Sequence, residues 1–177
     1  MDSSNPLHRF YYLFFAFCAI ALSLDCSSND GFVTYSNDGF SIEHPSSWRF
    51  QRDQAFSLNV GREIVFEFGE FSYATFYYSD RVGHKQFTDA YIESSFLKDP
   101  GNTAKVVSKA AYDVVGRAAL EYRLTAEFLG AMNTRVISVD VSLDDEPIFL
   151  VVAIAEEDEL EVQPILERVV SSVKGIK

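Results

Sequence analysis

Residues 35–48 read Tyr35-Ser36-Asn37-Asp38-Gly39-Phe40-Ser41-Ile42-Glu43-His44-Pro45-Ser46-Ser47-Trp48. Asn37-Asp38-Gly39 is a turn signal, because Asn and Asp tolerate, and Gly prefers, the left-handed backbone that tight turns need. It separates two short runs of strand character, 32–35 and 40–42, both rich in aromatic and β-branched residues. Pro45 closes the segment and Trp48 follows it.

Working outward, the run 64–68 places Ile64, Phe66 and Phe68 on one face and Val65 and Glu67 on the other. A second run, 72–78, follows Gly69-Glu70 closely enough to make a hairpin. Seven aromatics lie in this region, so one face must be core and the other is a candidate partner patch. Residues 85–97 read as a helix, with Thr88 as a candidate N-cap, Phe87, Tyr91, Ile92 and Phe96 at helical spacing, and Pro100-Gly101 as its stop. Four longer strands are expected at 104–113, 117–128, 134–143 and 147–155, with turns at Gly116, Gly130 and Asp144-Asp145-Glu146. Ile148-Phe149-Leu150-Val151-Val152 is apolar throughout, which predicts a central strand covered on both faces. A closing helix is expected over 164–173, with Pro164 in its first turn and Ile165, Leu166, Val169, Val170 and Val173 as its apolar stripe. This order predicts an α+β domain, an antiparallel sheet of about six to seven strands with helices packed on its faces.

Three stretches carry a resemblance to the Mog1p/PsbP-like fold family. The segment 35–48 is similar to the family's opening pattern of a strand, Gly-Phe, a short strand, Pro and Trp. Val114-Val115-Gly116-Arg117-Ala118-Ala119-Leu120-Glu121 is similar to its turn entering a long strand, and 165–173, with Ser171-Ser172, to its closing helix. The resemblance implies an α/β/α sandwich in which Gly39, Phe40, Pro45, Trp48 and Gly116 serve packing. The uncharacterised prokaryotic members, many of them lipoproteins, match best. Such packing motifs bear on fold, and fold alone does not imply an activity.

The N-terminus has a separate meaning. Residues 1–9 are polar and end in His8 and Arg9, and residues 10–24 are apolar or small throughout. Fifteen such residues fit a signal-peptide core and fall short of the roughly 20 a membrane-spanning helix needs. The expected organisation is a signal or anchor over 1–25, a polar linker over 26–31 and one domain over 32–177. Cys26 lies where a bacterial or archaeal lipoprotein carries its lipid, which makes it the candidate attachment site. Cleavage after 19–21 or 21–23, or an uncleaved anchor, are the alternatives. All three outcomes put the domain at or beyond the outer face of the cell membrane, tethered through its N-terminus or secreted. No cysteine follows Cys26, so the domain has no internal disulfide.

A formal net charge of -11 repels phosphate backbones and argues against nucleic acid as a partner. It suits solubility, cationic partners or loosely held divalent cations. The three histidines, His8, His44 and His84, form no His-x-x-x-His pair, and no Gly-x-Ser-x-Gly elbow is present. His44, beside Pro45, is expected to fill a turn or lie at the surface. Asp80, His84 and Asp89 are spaced to share a site. Two acidic clusters, Asp144-Asp145-Glu146 and Glu156-Glu157-Asp158-Glu159, offer the hard oxygen ligands that calcium or manganese prefers. The expectation is therefore a non-enzymatic, membrane-tethered accessory module with a protein partner and no cofactor. The alternative is a divalent-cation binder.

Overall fold

Among the described residues, two sheets and two α-helices make up the fold. The computed structural model describes residues 31–55, 61–79, 82–98, 103–127, 131–144 and 146–176. The apolar leader and Cys26 lie outside them. Residues 32–177 form one compact unit. No helix of the described residues is long and apolar enough to cross a membrane.

The chain opens with an antiparallel hairpin, β1 (Phe32–Asn37) and β2 (Phe40–Pro45). Its two-residue turn is Asp38-Gly39, both with positive φ (45° and 83°), the geometry that matches strand twist. β2 also pairs with β10 (Lys174–Gly175), which closes a three-stranded sheet from the two ends of the domain.

The main sheet has seven antiparallel strands. They are β3 (Arg49–Ala55), β4 (Gly61–Glu67), β5 (Tyr73–Ser79), β6 (Lys105–Val114), β7 (Arg117–Glu127), β8 (Ala131–Asp140) and β9 (Ile148–Ala155). Their spatial order is β3-β4-β5-β9-β8-β7-β6. β9 is thus the middle strand, and all eight of its residues are buried, as its apolar run predicts. One face of the sheet packs on α2 (Glu159–Ser172) and on β2, around Phe40, Ile42, Trp48, Phe66, Phe76, Leu150 and Leu166. The other face packs on α1 (His84–Ile92) and the single π-helical turn that continues it, Glu93–Leu97. Tyr73, Tyr77, Val151 and Ala153 meet Phe87, Tyr91 and Ile92 there. The second aromatic face is therefore roofed by a helix and is no open patch.

Three expectations need correction. β3 was not expected, because Arg49-Phe50-Gln51-Arg52-Asp53-Gln54-Ala55 is polar on both faces; it is an edge strand, almost wholly exposed. Thr88 does not cap α1. It lies inside the helix, buried, with its hydroxyl on the His84 carbonyl (2.8 Å), and Gly83 occupies the cap position. The closing helix begins at Glu159, so Pro164 is interior to it. Acidic residues at the helix start complement its positive end and let the helix begin early.

His44 is buried rather than at the surface: its ring lies 4.5 Å from Phe66, and its Nδ1–H donates to the Pro45 carbonyl (2.9 Å). Trp48 N–H donates to the same carbonyl (3.0 Å), and its ring stacks on Phe68. The Gly39 carbonyl accepts from Ile176 N–H (2.8 Å), and Phe40 is buried. Gly116, with φ 82°, completes the two-residue turn from β6 to β7, its N–H held by the Asp113 carboxylate (2.7 Å).

Candidate functional site

Arg123 of β7 and Arg135 of β8 are directly opposite each other in register. Like charges so placed repel, and something must balance them. Glu121, two residues along β7 on the same face, accepts from Arg123 Nε (3.0 Å) and from Arg135 Nη2 (2.8 Å). Glu159, the first residue of α2, accepts from Arg123 Nη2 (3.1 Å) and Arg135 Nη1 (3.4 Å). Two guanidinium groups and two carboxylates thus close a ring, with Arg135 and Glu121 at its buried side (13% and 15% exposed). The Glu159 hydrogen bond also raises the Arg123 pKa.

Beside this ring is a cleft of about 170 Å³. Val107 forms its outer lip, 67% exposed, and Ile154 is part of its lining. Asn133 and Glu156 form the polar side, joined by the Asn133 amide donating to Glu156 (2.8 Å). Arg135 Nε is buried without a partner of good hydrogen-bond geometry among the described residues, and so is the Tyr112 hydroxyl, although the two side chains interact with each other. Burial raises the Tyr112 pKa, and the Arg135 charge opposes that rise. Buried donors of this kind are costly to leave unmet. The volume is that of one side chain, and the lining is mixed in charge, Arg123 and Arg135 with Glu156 and Glu159, of which Glu156 is exposed.

The two acidic clusters lie apart from each other. Asp144 is the described half of a two-residue turn, closed by Leu143 and Glu146 through hydrogen bonds of 3.0 and 2.7 Å; Asp145 lies outside the described residues. Glu156 and Asp158 are at the far end of β9, which at roughly 3.3 Å per residue separates the two clusters by about 26 Å. Asp158 is engaged elsewhere, accepting from the Ser72 hydroxyl (2.5 Å), whose oxygen accepts the Ala155 N–H (2.9 Å). A Cβ at Gly69 would overlap the same Asp158 carboxylate, so glycine there lets the β4–β5 turn approach the start of α2. Among the described residues no three His, Cys, Asp or Glu side chains form a group able to hold a metal ion.

Asp89 and His84 also part company. Asp89 pairs with Lys85 (2.7 Å) and Lys109 (2.5 Å) and accepts from the Tyr122 hydroxyl, which pins α1 to β6 and β7. Asp80 lies outside the described residues. His84 Nε2 instead lies 2.9 Å from the Ser138 hydroxyl, which the Thr88 hydroxyl also approaches at 2.9 Å. A serine–histidine pair 54 residues apart is invisible to spacing rules. Ser138 is fully buried and Thr88 nearly so, which closes that hydroxyl to a substrate. Burial lowers the His84 pKa, so the ring is neutral at neutral pH.

No protein-family model matches the chain, and no curated protein matches it in sequence. Solved structures similar to it include the cyanobacterial PsbP protein CyanoP of Synechocystis sp. PCC 6803, at 15% identity and a TM-score of 0.47, covering 87% of this chain and 98% of that one. LpqN of Mycobacterium tuberculosis, a protein involved in cell envelope biogenesis, is similar at 10% identity and a TM-score of 0.42, covering 82% and 90%. PA94 of Pseudomonas aeruginosa, of unknown function, is similar at 12% identity and a TM-score of 0.40, covering 77% and 91%. The first of these is a PsbP protein, the family that residues 35–48 resemble. No residue role passes from any of them to this chain.

Proposed function

We propose that this chain is a non-enzymatic accessory module, exported and held by its N-terminus at the outer face of a cell membrane, whose cleft receives a basic side chain from a protein partner. The cleft carries the reading. Its volume is that of one side chain, Val107 offers apolar surface for an aliphatic stem, and the exposed Glu156 of its lining offers an acceptor for a cationic head, while Glu121 and Glu159 balance Arg123 and Arg135. A net charge of -11 favours the encounter with such a partner. The inward position of Ser138 supports a binding role over a hydrolytic one. The apolar run 10–24 and Cys26 support export and tethering.

The test is a photo-cross-linking residue at position 107 in native membranes. A defined adduct should form and should weaken at least fivefold in Glu156→Lys, whose acid stands at the lip. An adduct of equal strength in both proteins would sink the reading of the cleft. Intact mass with Cys26→Ser beside it tests the tether. A lipid-sized increment on a chain starting at Cys26, lost in the variant, supports it. An unmodified chain starting near residue 22 or 24 would replace tethering by secretion.

A further inference from the structure

β6 is the last strand of the seven-stranded sheet and, among the described residues, has a neighbour on one side only. Ten residues long, it is exposed at every position but Tyr112 and Val114. Such an edge presents a row of unpaired N–H and C=O groups, a template for another strand. The opposite edge differs. β3 carries Arg49, Gln51, Arg52 and Gln54, and β1 reaches across to it through the Tyr35 hydroxyl and the Asn37 amide, both on Asp53. β6 has small or apolar residues, Val106, Val107, Ala110 and Ala111, set among Lys105, Lys109 and Asp113. Its start is interrupted, because the register with β7 skips Val107. From Ser108 to Val114 the register is regular, which leaves seven residues of clean open edge.

We propose that this segment pairs, antiparallel, with the same segment of a second copy of the chain, with the two-fold axis at Ala111. Register selects the occupant. With the axis there, Lys109 of each copy, which also holds Asp89 of its own chain, faces Asp113 of the other, whose one carboxylate oxygen holds the Gly116 N–H, so opposite charges are brought opposite each other twice on one face of the joined sheet. On the other face Tyr112 meets Ala110, large against small, and Ser108 meets Val114. Each of these cross-strand pairings is favourable or neutral. An axis at Lys109 would oppose two ammonium groups. An axis at Ala110 would set Asp113 against Val107, at the bulge. Seven paired residues make a small contact, so the dimer is weak and reversible. With this axis Val107 falls opposite Val115 of the second copy, one step beyond the paired segment; the pairing uses the open backbone edge of β6 and none of the cleft's charged side chains, so this inference stands apart from the proposed function.

The experiment uses the full chain carrying Cys18→Ser and Cys26→Ser, with Ala111→Cys added. At the axis the two introduced thiols are adjacent. Mild oxidation should give a disulfide-linked dimer in several-fold higher yield than Val107→Cys, where the thiols of the two copies lie eight residues apart along the strands. Sedimentation should show a reversible dimer in the parent chain, at least tenfold weaker in Ala111→Glu, where two carboxylates would meet. Ala111 is exposed, and unchanged Trp48 fluorescence checks that the variant is folded. A parent chain that stays monomeric at several hundred micromolar, with equal cross-linking at 107 and 111, would overturn the proposal. So would a strand from a different protein found on β6 of a monomeric chain.

Discussion

Replacing Asp53 by alanine removes the most connected carboxylate at the junction of the two sheets. Asp53 of β3 accepts from Arg62 Nε (2.6 Å) and Nη2 (2.5 Å), from the Asn37 amide (2.7 Å) and from the Tyr35 hydroxyl. Both partners of the ion pair are mostly buried, 14% exposed for Arg62 and 12% for Asp53. Asp53→Ala would leave the mostly buried Arg62 guanidinium with only the exposed Asp38 carboxylate (3.7 Å) and the Asn37 and Asp38 carbonyls, and the β1 side chains without their acceptor. Removing one partner of a buried pair costs about 3–5 kcal/mol, and the residual exposure puts this case near 3. A domain of this size loses roughly 2–4 °C in Tm per kcal/mol, so Tm should fall by about 6–12 °C. The effect depends on pH. The Arg62 hydrogen bonds hold the Asp53 carboxyl well below the usual carboxylate range. Its contribution is therefore complete above the unfolded value near 3.8 and is lost as pH falls through the lower, folded value. The gap between parent and variant should be full above about pH 5 and should narrow below about pH 4. Urea unfolding followed by the fluorescence of Trp48, the single tryptophan and a buried one, reads both quantities. Adding Arg62→Met should recover part of the loss, since the poorly paired charge goes with it. A loss under about 1 kcal/mol, or a gap that stays full at low pH, would refute the reasoning.

Three further outcomes are expected. Val115 holds φ 48° in the β6–β7 turn, where a β-branched residue is strained, so Val115→Asn should raise stability by about 1 kcal/mol, read from the urea midpoint. The NMR titration midpoint of His84 should lie below the ordinary 6.5, because burial opposes its charged form, and His84→Gln should reduce the stability loss that the parent shows as pH falls from 6.5 toward that midpoint, the rest coming from His44, whose pKa burial also lowers. Millimolar calcium or manganese should leave Tm unchanged, because Glu156 and Asp158 are engaged with Asn133 and Ser72 and the other cluster is at the far end of β9.

The α+β architecture was legible because its strands carry strong local signals. The run 148–152 announced a covered central strand, Asp38-Gly39 and Gly116 announced their turns, and each lies where its backbone preference puts it. β3 was illegible because an edge strand that is polar on both faces has no alternation to read; its place comes from pairing with β4 and from Glu63, which accepts from both Arg52 and Gln54. Thr88 misled because its hydroxyl bonds back into its own helix, a use that sequence does not separate from capping. The cleft was partly visible. Glu156 and Glu159 belong to a legible acidic run, but Arg123 and Arg135 meet Glu159 only because β7 and β8 align in register. Spacing along a chain carries no trace of that alignment.

The position of β9 also sets the order in which the domain can be completed. The strand that joins β5 to β8 is the last long one to be made, and its partner Tyr73–Tyr78 precedes it by some seventy residues. Pairings of such sequence separation form slowly, because a long loop must close before they repay its entropy. Until residues 148–155 arrive, β3–β5 and β6–β8 are two half-sheets with open inner edges and no means of joining. A chain held at that stage stays loose enough to be threaded or degraded and sticky enough to aggregate. Folding therefore waits on nearly the whole sequence.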